Sequence, residues 1–249
     1  MKSKKCTGCY ALSLLLVLVL KLYSDRAGSG DLFWILRPTA WWTGILSRAA
    51  FEYEPGAGYV NHSLRFIIAP ECAGLKFLMI AFLMQSCSFV HRMDSRKKRL
   101  CWTLLSLPSS CLAAIFVNGI RISLSILLPP FLSEKPGIAA DLTSGQLHTA
   151  IGTAVYFLSL LALYQAGDRI SQKIAQKKKE GSIQNMFLPI LWYLGPVLGL
   201  PFLSRIAYRD YKNFSGYELP VLAVCGTILL LFTLPMLCKK LLLKQPTAK

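Results

Sequence analysis

The sequence predicts an all-α fold: a polytopic transmembrane helical bundle of about six spanning helices with one outer interfacial or re-entrant segment. Three observations carry that expectation. Of 249 residues, 54% are hydrophobic and only 16% charged. The apolar residues collect in blocks with few internal charges, each about long enough for a ~30 Å hydrocarbon core. The basic residues gather in alternate hydrophilic stretches: "MKSKK", "RMDSRKKR", "DRISQKIAQKKKE" and the tail from Lys239 hold seventeen of the 28 Lys and Arg but only three of the 12 Asp and Glu.

A formal net charge of +16 would point to nucleic acid in a soluble protein. Here it is a topology signal, and the expected partner is the lipid bilayer, with no nucleic acid. By the positive-inside rule the four basic stretches are cytoplasmic, which puts both termini inside and the segment ends near Cys72, Arg121 and His148 outside.

The first span, Cys6 to Tyr23, has the basic leader and Leu/Val core of a signal peptide, but "DRAGSGD" is a poor small-x-small cleavage site, so it reads as retained. "DLFWILRPTAWWTGILSRAAF" follows. If it crossed, "RMDSRKKR" would lie outside against the charge rule. With Arg37, Pro38, Arg48 and the Trp41–Trp42 pair it reads as interfacial or re-entrant on the outer side. The remaining spans run from Gly74 to Val90, Leu100 to about Arg121 or beyond, His148 to about Gly167, Met186 to Leu203 and Glu218 to Cys238. Residues 1–249 form one integral membrane domain without internal repeats.

Eight cysteines do not make a disulfide framework here, because most fall at the cytoplasmic edge or within the membrane. Cys6 and Cys9 form a lone CxxC with no second ligand pair, so neither a metal nor another cofactor is expected. Cys72 is the one thiol at the outer mouth, in "RFIIAPECAGLKF".

At 1.5 Å per helical residue, Cys72 lies ~27 Å from Val90, Arg121 ~31 Å from Leu100 and His148 ~28 Å from Gly167. A thiol, a guanidinium and an imidazole from three segments therefore reach one outer plane. Together they supply a nucleophile, a stabiliser of thiolate or oxyanion charge, and a general acid/base. Pro70 suits a first helical turn, which would put Cys72 at a helix N-terminus where its thiol is activated. The amides of Ala73 and Gly74 are candidates for an oxyanion hole, and Gly74 would let a substrate backbone come close. Asn118 and Arg121, in "NGIR", share one helical face.

Each residue also has a blander reading. Glu71 could complement the helix dipole or pair with Lys76 or an arginine as readily as take part in catalysis. Arg121 could snorkel to the interface. His148 could be an ordinary interfacial histidine. His62, in the outer loop "YVNHSLRF", is a second candidate base, whereas His91 lies on the cytoplasmic side beside Arg92.

With "PECAG", "NGIR" and His148 in order, the sequence resembles the exosortase/archaeosortase family of polytopic membrane cysteine transpeptidases. The family pattern is Cys-x-Gly near an outer helix start, then Asn-x-x-Arg, then a third-helix His or Arg. Cys72, Ala73 and Gly74 match the first, Asn118 and Arg121 the second, His148 the third, over roughly residues 65–167. The His points to the bacterial exosortase side, and "PECAGLKF" with the small size is similar to the subtype called exosortase K. Ala73 replaces the Ser common in the family.

The resemblance implies an enzyme of the bacterial cytoplasmic membrane with catalytic Cys72, Arg121 and His148 at the outer face. Its substrates would be secreted proteins bearing a C-terminal sorting signal, cleaved through a Cys72 thioester and passed to a surface glycan or lipid acceptor. The alternative is a non-enzymatic membrane protein, a transporter or assembly scaffold, whose outer polar ring binds an ion or partner. It lacks the mid-membrane charges and paired interrupted helices that transport sites use.

Overall fold

The computed structural model describes residues 6–133, 144–176, 184–199, 221–228 and 230. Its order is α1 (Thr7–Ser24), α2 (Phe33–Ser47), strands β1 (Glu52–Glu54), β2 (Gly58–Asn61) and β3 (Phe66–Ile68), a 3₁₀ turn (Pro70–Cys72), α3 (Leu75–Phe89), a second 3₁₀ turn (Val90–Arg92), α4 (Arg96–Ser133), α5 (Ser144–Ala175) and α6 (Gln184–Leu194). Gly195–Gly199 continues α6 as a π-helical stretch.

Among the described residues, four helical segments are long and apolar enough to cross a membrane: Thr7–Ser24, Pro70–Arg92, Arg96–Pro130 and Leu147–Ala175. They answer the first four expected spans. The fifth is represented by the shorter apolar helix Pro189–Leu198, and most of the sixth lies outside the described residues.

The helix carrying apolar residues on every side is the buried one, as helix periodicity requires. In α3, "LKFLMIAFLMQSCSF", all but three residues are buried. Phe77, Leu78, Phe82 and Phe89 are closed off from solvent. The α1 helix instead buries only Ser13 and exposes Leu14, Leu15, Leu18, Val19 and Leu22. Such a face is stable only against lipid.

Polar contacts between neighbours set the helices in register. Ser13 of α1 bonds Ser86 of α3 at 2.6 Å, and Ser86 reaches Thr103 of α4 at 3.5 Å. Moving away from that level, fourteen residues back along the chain lead to Cys72 and fifteen forward lead to Asn118, about 21 and 22 Å of helical rise. On the third side, Arg92 pairs with Asp168 of α5 at 2.7 Å and donates to Ser171 at 2.8 Å. The ring of Phe89 occupies the space a side chain at Gly167 would need, a Cβ there lying 2.6 Å from its edge. These contacts, together with Arg96–Arg99, define a basic end of the bundle.

The opposite end carries a small antiparallel sheet, ordered β1-β2-β3, with Tyr53 opposite Tyr59 and Val60 opposite Ile67. The sequence reading did not include it. The 15-residue α2 is about 22 Å long, short of a full crossing. Before its start Ser29 accepts from the Gly56 amide, and its first residue, Phe33, meets Tyr53 edge-on. After its end, the chain turns at Arg48 in the left-handed region directly into β1. Both ends of α2 are thus tied to the sheet. Its flank packs on α4: Trp42 donates to the Phe116 carbonyl at 3.2 Å, and its indole fills the space that a side chain at Gly119 would take.

Candidate active site

Cys72 ends the 3₁₀ turn Pro70–Cys72, and its amide donates to Ala69 at 2.8 Å. This departs from the sequence reading in one respect. The helix proper begins at Leu75 with Gly74 as its N-cap, so the thiol stands just ahead of the helix N-terminus. The cause is Gly74, whose φ of +76° breaks the turn from the helix. L side chains rarely adopt that conformation.

A side chain at Gly74 would also crowd α4, because a Cβ would come 3.0 Å from Cβ and Cγ of Asn118 and push that side chain aside by a few tenths of an ångström. The close approach it permits within the fold is that of Asn118. The proposed oxyanion pair changes as well. The Ala73 amide is spent on the Pro70 carbonyl at 3.0 Å, whereas the Gly74 amide has no acceptor among the described residues.

Asn118, fully buried on α4, is the hub. Its Nδ2 donates to the Cys72 carbonyl, and its Oδ1 accepts from Tyr156 Oη at 2.8 Å and from Arg121 Nη1 at 3.4 Å. Arg121 is one helical turn on. Its Nη1 donates to Tyr156 Oη at 2.8 Å, and its Nη2 lies 3.1 Å from His148 Nε2. A guanidinium has only donors, so Nε2 must accept. In this arrangement the imidazole is neutral, with its proton on Nδ1. The buried Nε of Arg121 has no partner among the described residues.

Cys72, Asn118, Arg121 and His148 are therefore joined in one network drawn from the turn before α3, from α4 and from α5. The Cys72 thiol itself is free and half-buried, with no hydrogen bond among the described residues. Glu71 is exposed and forms no ion pair with Lys76 or an arginine among the described residues, so of its readings the pairing is not made. His62, the second candidate base, is engaged elsewhere: its Nε2 meets Glu54 at 2.8 Å on the exposed sheet. Among the described residues no group of three or more His, Cys, Asp and Glu could hold a metal.

One member of the network was missed in the sequence. Tyr156 stacks on Phe77 of α3, with centroids 4.9 Å apart, and the Arg121 guanidinium lies over its ring at 5.4 Å. The available signal was the four-residue spacing of His148, Gly152 and Tyr156, which puts them on one side of α5. At the middle position, a side chain on Gly152 would touch Arg121 Cδ and Nε at 3.7 Å.

Residues 41–165, half the chain and the whole of this network, match the family model described as transmembrane exosortase (Exosortase_EpsH). The chain belongs to the transmembrane exosortase family. No curated protein and no solved structure matches it. As a member of that family with four long apolar helices, this exosortase is a membrane protein.

Proposed function

We propose that this exosortase is a membrane cysteine protease and transpeptidase that cleaves a C-terminal sorting tail from secreted proteins at the outer face of the cytoplasmic membrane. The observation that carries the reading is the hydrogen-bonded link from the Cys72 carbonyl through Asn118 and Arg121 to His148. Three chain segments contribute polar groups to it at the end away from the basic cluster, and Asn118 at its centre is fully buried. Such groups are costly in a membrane unless they serve a site.

In the first half-reaction the Cys72 thiol gives its proton to His148, and the thiolate attacks the scissile carbonyl carbon. Because Nε2 is the accepting nitrogen of the neutral ring, Arg121 must release it as the proton arrives. Its Nη2, freed from His148, then donates to the new negative charge, first on sulfur and then on the carbonyl oxygen, while Nη1 stays on Tyr156. The Gly74 amide is a second donor for that oxyanion. Collapse breaks the C–N bond, the leaving amine takes the proton from His148, and the tail departs. Cys72 is left as a thioester.

An acceptor hydroxyl or amine on a surface glycan or lipid then attacks the thioester while His148 takes its proton, and Cys72 leaves as thiolate to be reprotonated. With water as acceptor the outcome is hydrolysis. A substrate anchored by its own apolar span diffuses in the same plane as the enzyme, which keeps its scissile bond at the depth of Cys72.

Co-expression with a tailed secreted protein tests this. Wild type should shorten the substrate, and Cys72→Ala, Arg121→Ala and His148→Ala should leave it full length while accumulating in the membrane. Processing by Cys72→Ala would refute the reading.

A further inference from the structure

We propose that Tyr156 is a positioning residue of this site, acting through its hydroxyl on Arg121 and Asn118. The inference rests on the reading of Cys72 as nucleophile and extends it to a side chain outside the Cys, Asn-x-x-Arg and His set.

Hydrogen-bond direction fixes the roles of the three side chains. Arg121 can only donate, so the 2.8 Å contact from its Nη1 makes the phenol oxygen an acceptor. The single phenol proton then goes to Asn118 Oδ1, also at 2.8 Å. With Oδ1 so occupied, the amide of Asn118 has one orientation, and Nδ2 is left to hold the Cys72 carbonyl. A one-way series of donors runs from guanidinium to phenol to amide to the main chain of the nucleophile.

The same oxygen fixes the rotation of the guanidinium. Nη1 is held by Tyr156, so Nη2 is turned to His148. Lost at this one point, both ends loosen: Arg121 loses its best-formed acceptor, and Asn118 Oδ1 keeps only the 3.4 Å contact to Arg121. The phenol ring is separately held by its stack on Phe77, so the hydroxyl can be removed while the packing stays.

The experiment compares Tyr156→Phe, which deletes the hydroxyl, with Phe77→Leu, which weakens the stack. The reporter is a secreted protein of the same cell ending in an apolar span and a basic cluster, and folded sites are counted by iodoacetamide labelling of the Cys72 peptide. Per labelled site, Tyr156→Phe should lower kcat on the order of 10- to 100-fold, the loss of a hydrogen bond to a part-buried charged group. KM should change less than about threefold, since bound substrate does not touch the phenol. Phe77→Leu should keep kcat within about threefold, the scale of a tolerated apolar swap.

The effect of Tyr156→Phe should also shrink to about twofold or less in an Asn118→Ala background, the non-additivity expected of residues acting as one unit. Near-wild-type kcat per site in Tyr156→Phe, or an equal loss in Phe77→Leu, would overturn the proposal. Processing that survives Cys72→Ala would instead overturn the underlying reading of the site, a result that the Tyr156 variants cannot produce.

Discussion

The Asn118 side chain donates its amide to the main-chain carbonyl of Cys72, forty-six residues earlier in the chain. One bond thus ties the middle of α4 to the turn that carries the thiol, at a point where Asn118 has no exposed surface. A buried amide in that position is either fully paired or destabilising, and here both of its ends are used.

Asn118→Ala should therefore cost both stability and activity. It leaves the Tyr156 hydroxyl, an Arg121 N–H and the Cys72 carbonyl short of partners. The expected loss is about 2–4 kcal/mol, from more than one unmade buried bond. Thermal unfolding in detergent should show a lower midpoint, and tail processing should fall at least tenfold per folded molecule.

Gly74→Ala should be damaging for two separate reasons, the φ of +76° and the 3.0 Å approach to Asn118. The backbone strain alone is about 1–3 kcal/mol, and the displaced Asn118 would loosen Cys72. Gly8→Ala is the matched control: nothing lies within 4 Å of a Cβ there, and alanine favours a helix by about 1 kcal/mol. A Gly74→Ala protein as stable and active as Gly8→Ala would contradict the geometry of the turn.

At the basic end, Arg92 and Asp168 are 18% and 16% exposed, and Arg92 also lies over the Phe89 ring at 5.0 Å. Their pairing should be worth more than a surface ion pair and less than a buried one. Asp168→Ala should lower stability by about 1–3 kcal/mol. Because Asp168 is about 30 Å of helical rise from His148, kcat per folded site should stay within about twofold. Unfolding midpoints and processing rates measured together separate the two effects.

Glu71→Gln should change little. The side chain is exposed and unpaired among the described residues, so stability should shift by less than about 0.5 kcal/mol and processing by less than about twofold. A tenfold loss would restore Glu71 as a participant in the chemistry.

The sequence made the common level of Cys72, Arg121 and His148 legible because helical rise is a constant and the basic ends are marked by charge. Which atoms meet was another matter. The Asn118–Cys72 bond depends on the rotation of α4 against α3, and a fifteen-residue helix apolar on all sides carries no stripe to fix that rotation. Tyr156 lies in "GTAVYFLSLL", where a tyrosine is indistinguishable from an interfacial anchor until its hydroxyl is seen between Arg121 and Asn118. Gly74 was readable as special, but the reason came from the neighbour filling its missing side chain. The sheet escaped because strands of three and four residues show too little alternation, although the "EPGAG" turn between β1 and β2 was visible.

The central claim, that Cys72 is the acylated nucleophile, is tested most directly by mass spectrometry of the Cys72 peptide after rapid acid quench of enzyme processing a tailed reporter. The expected result is an adduct on Cys72 equal in mass to the substrate fragment upstream of the cut, released by neutral hydroxylamine and absent from Cys72→Ala. Tail cleavage with Cys72 unmodified throughout turnover, and equally fast in Cys72→Ala, would contradict it.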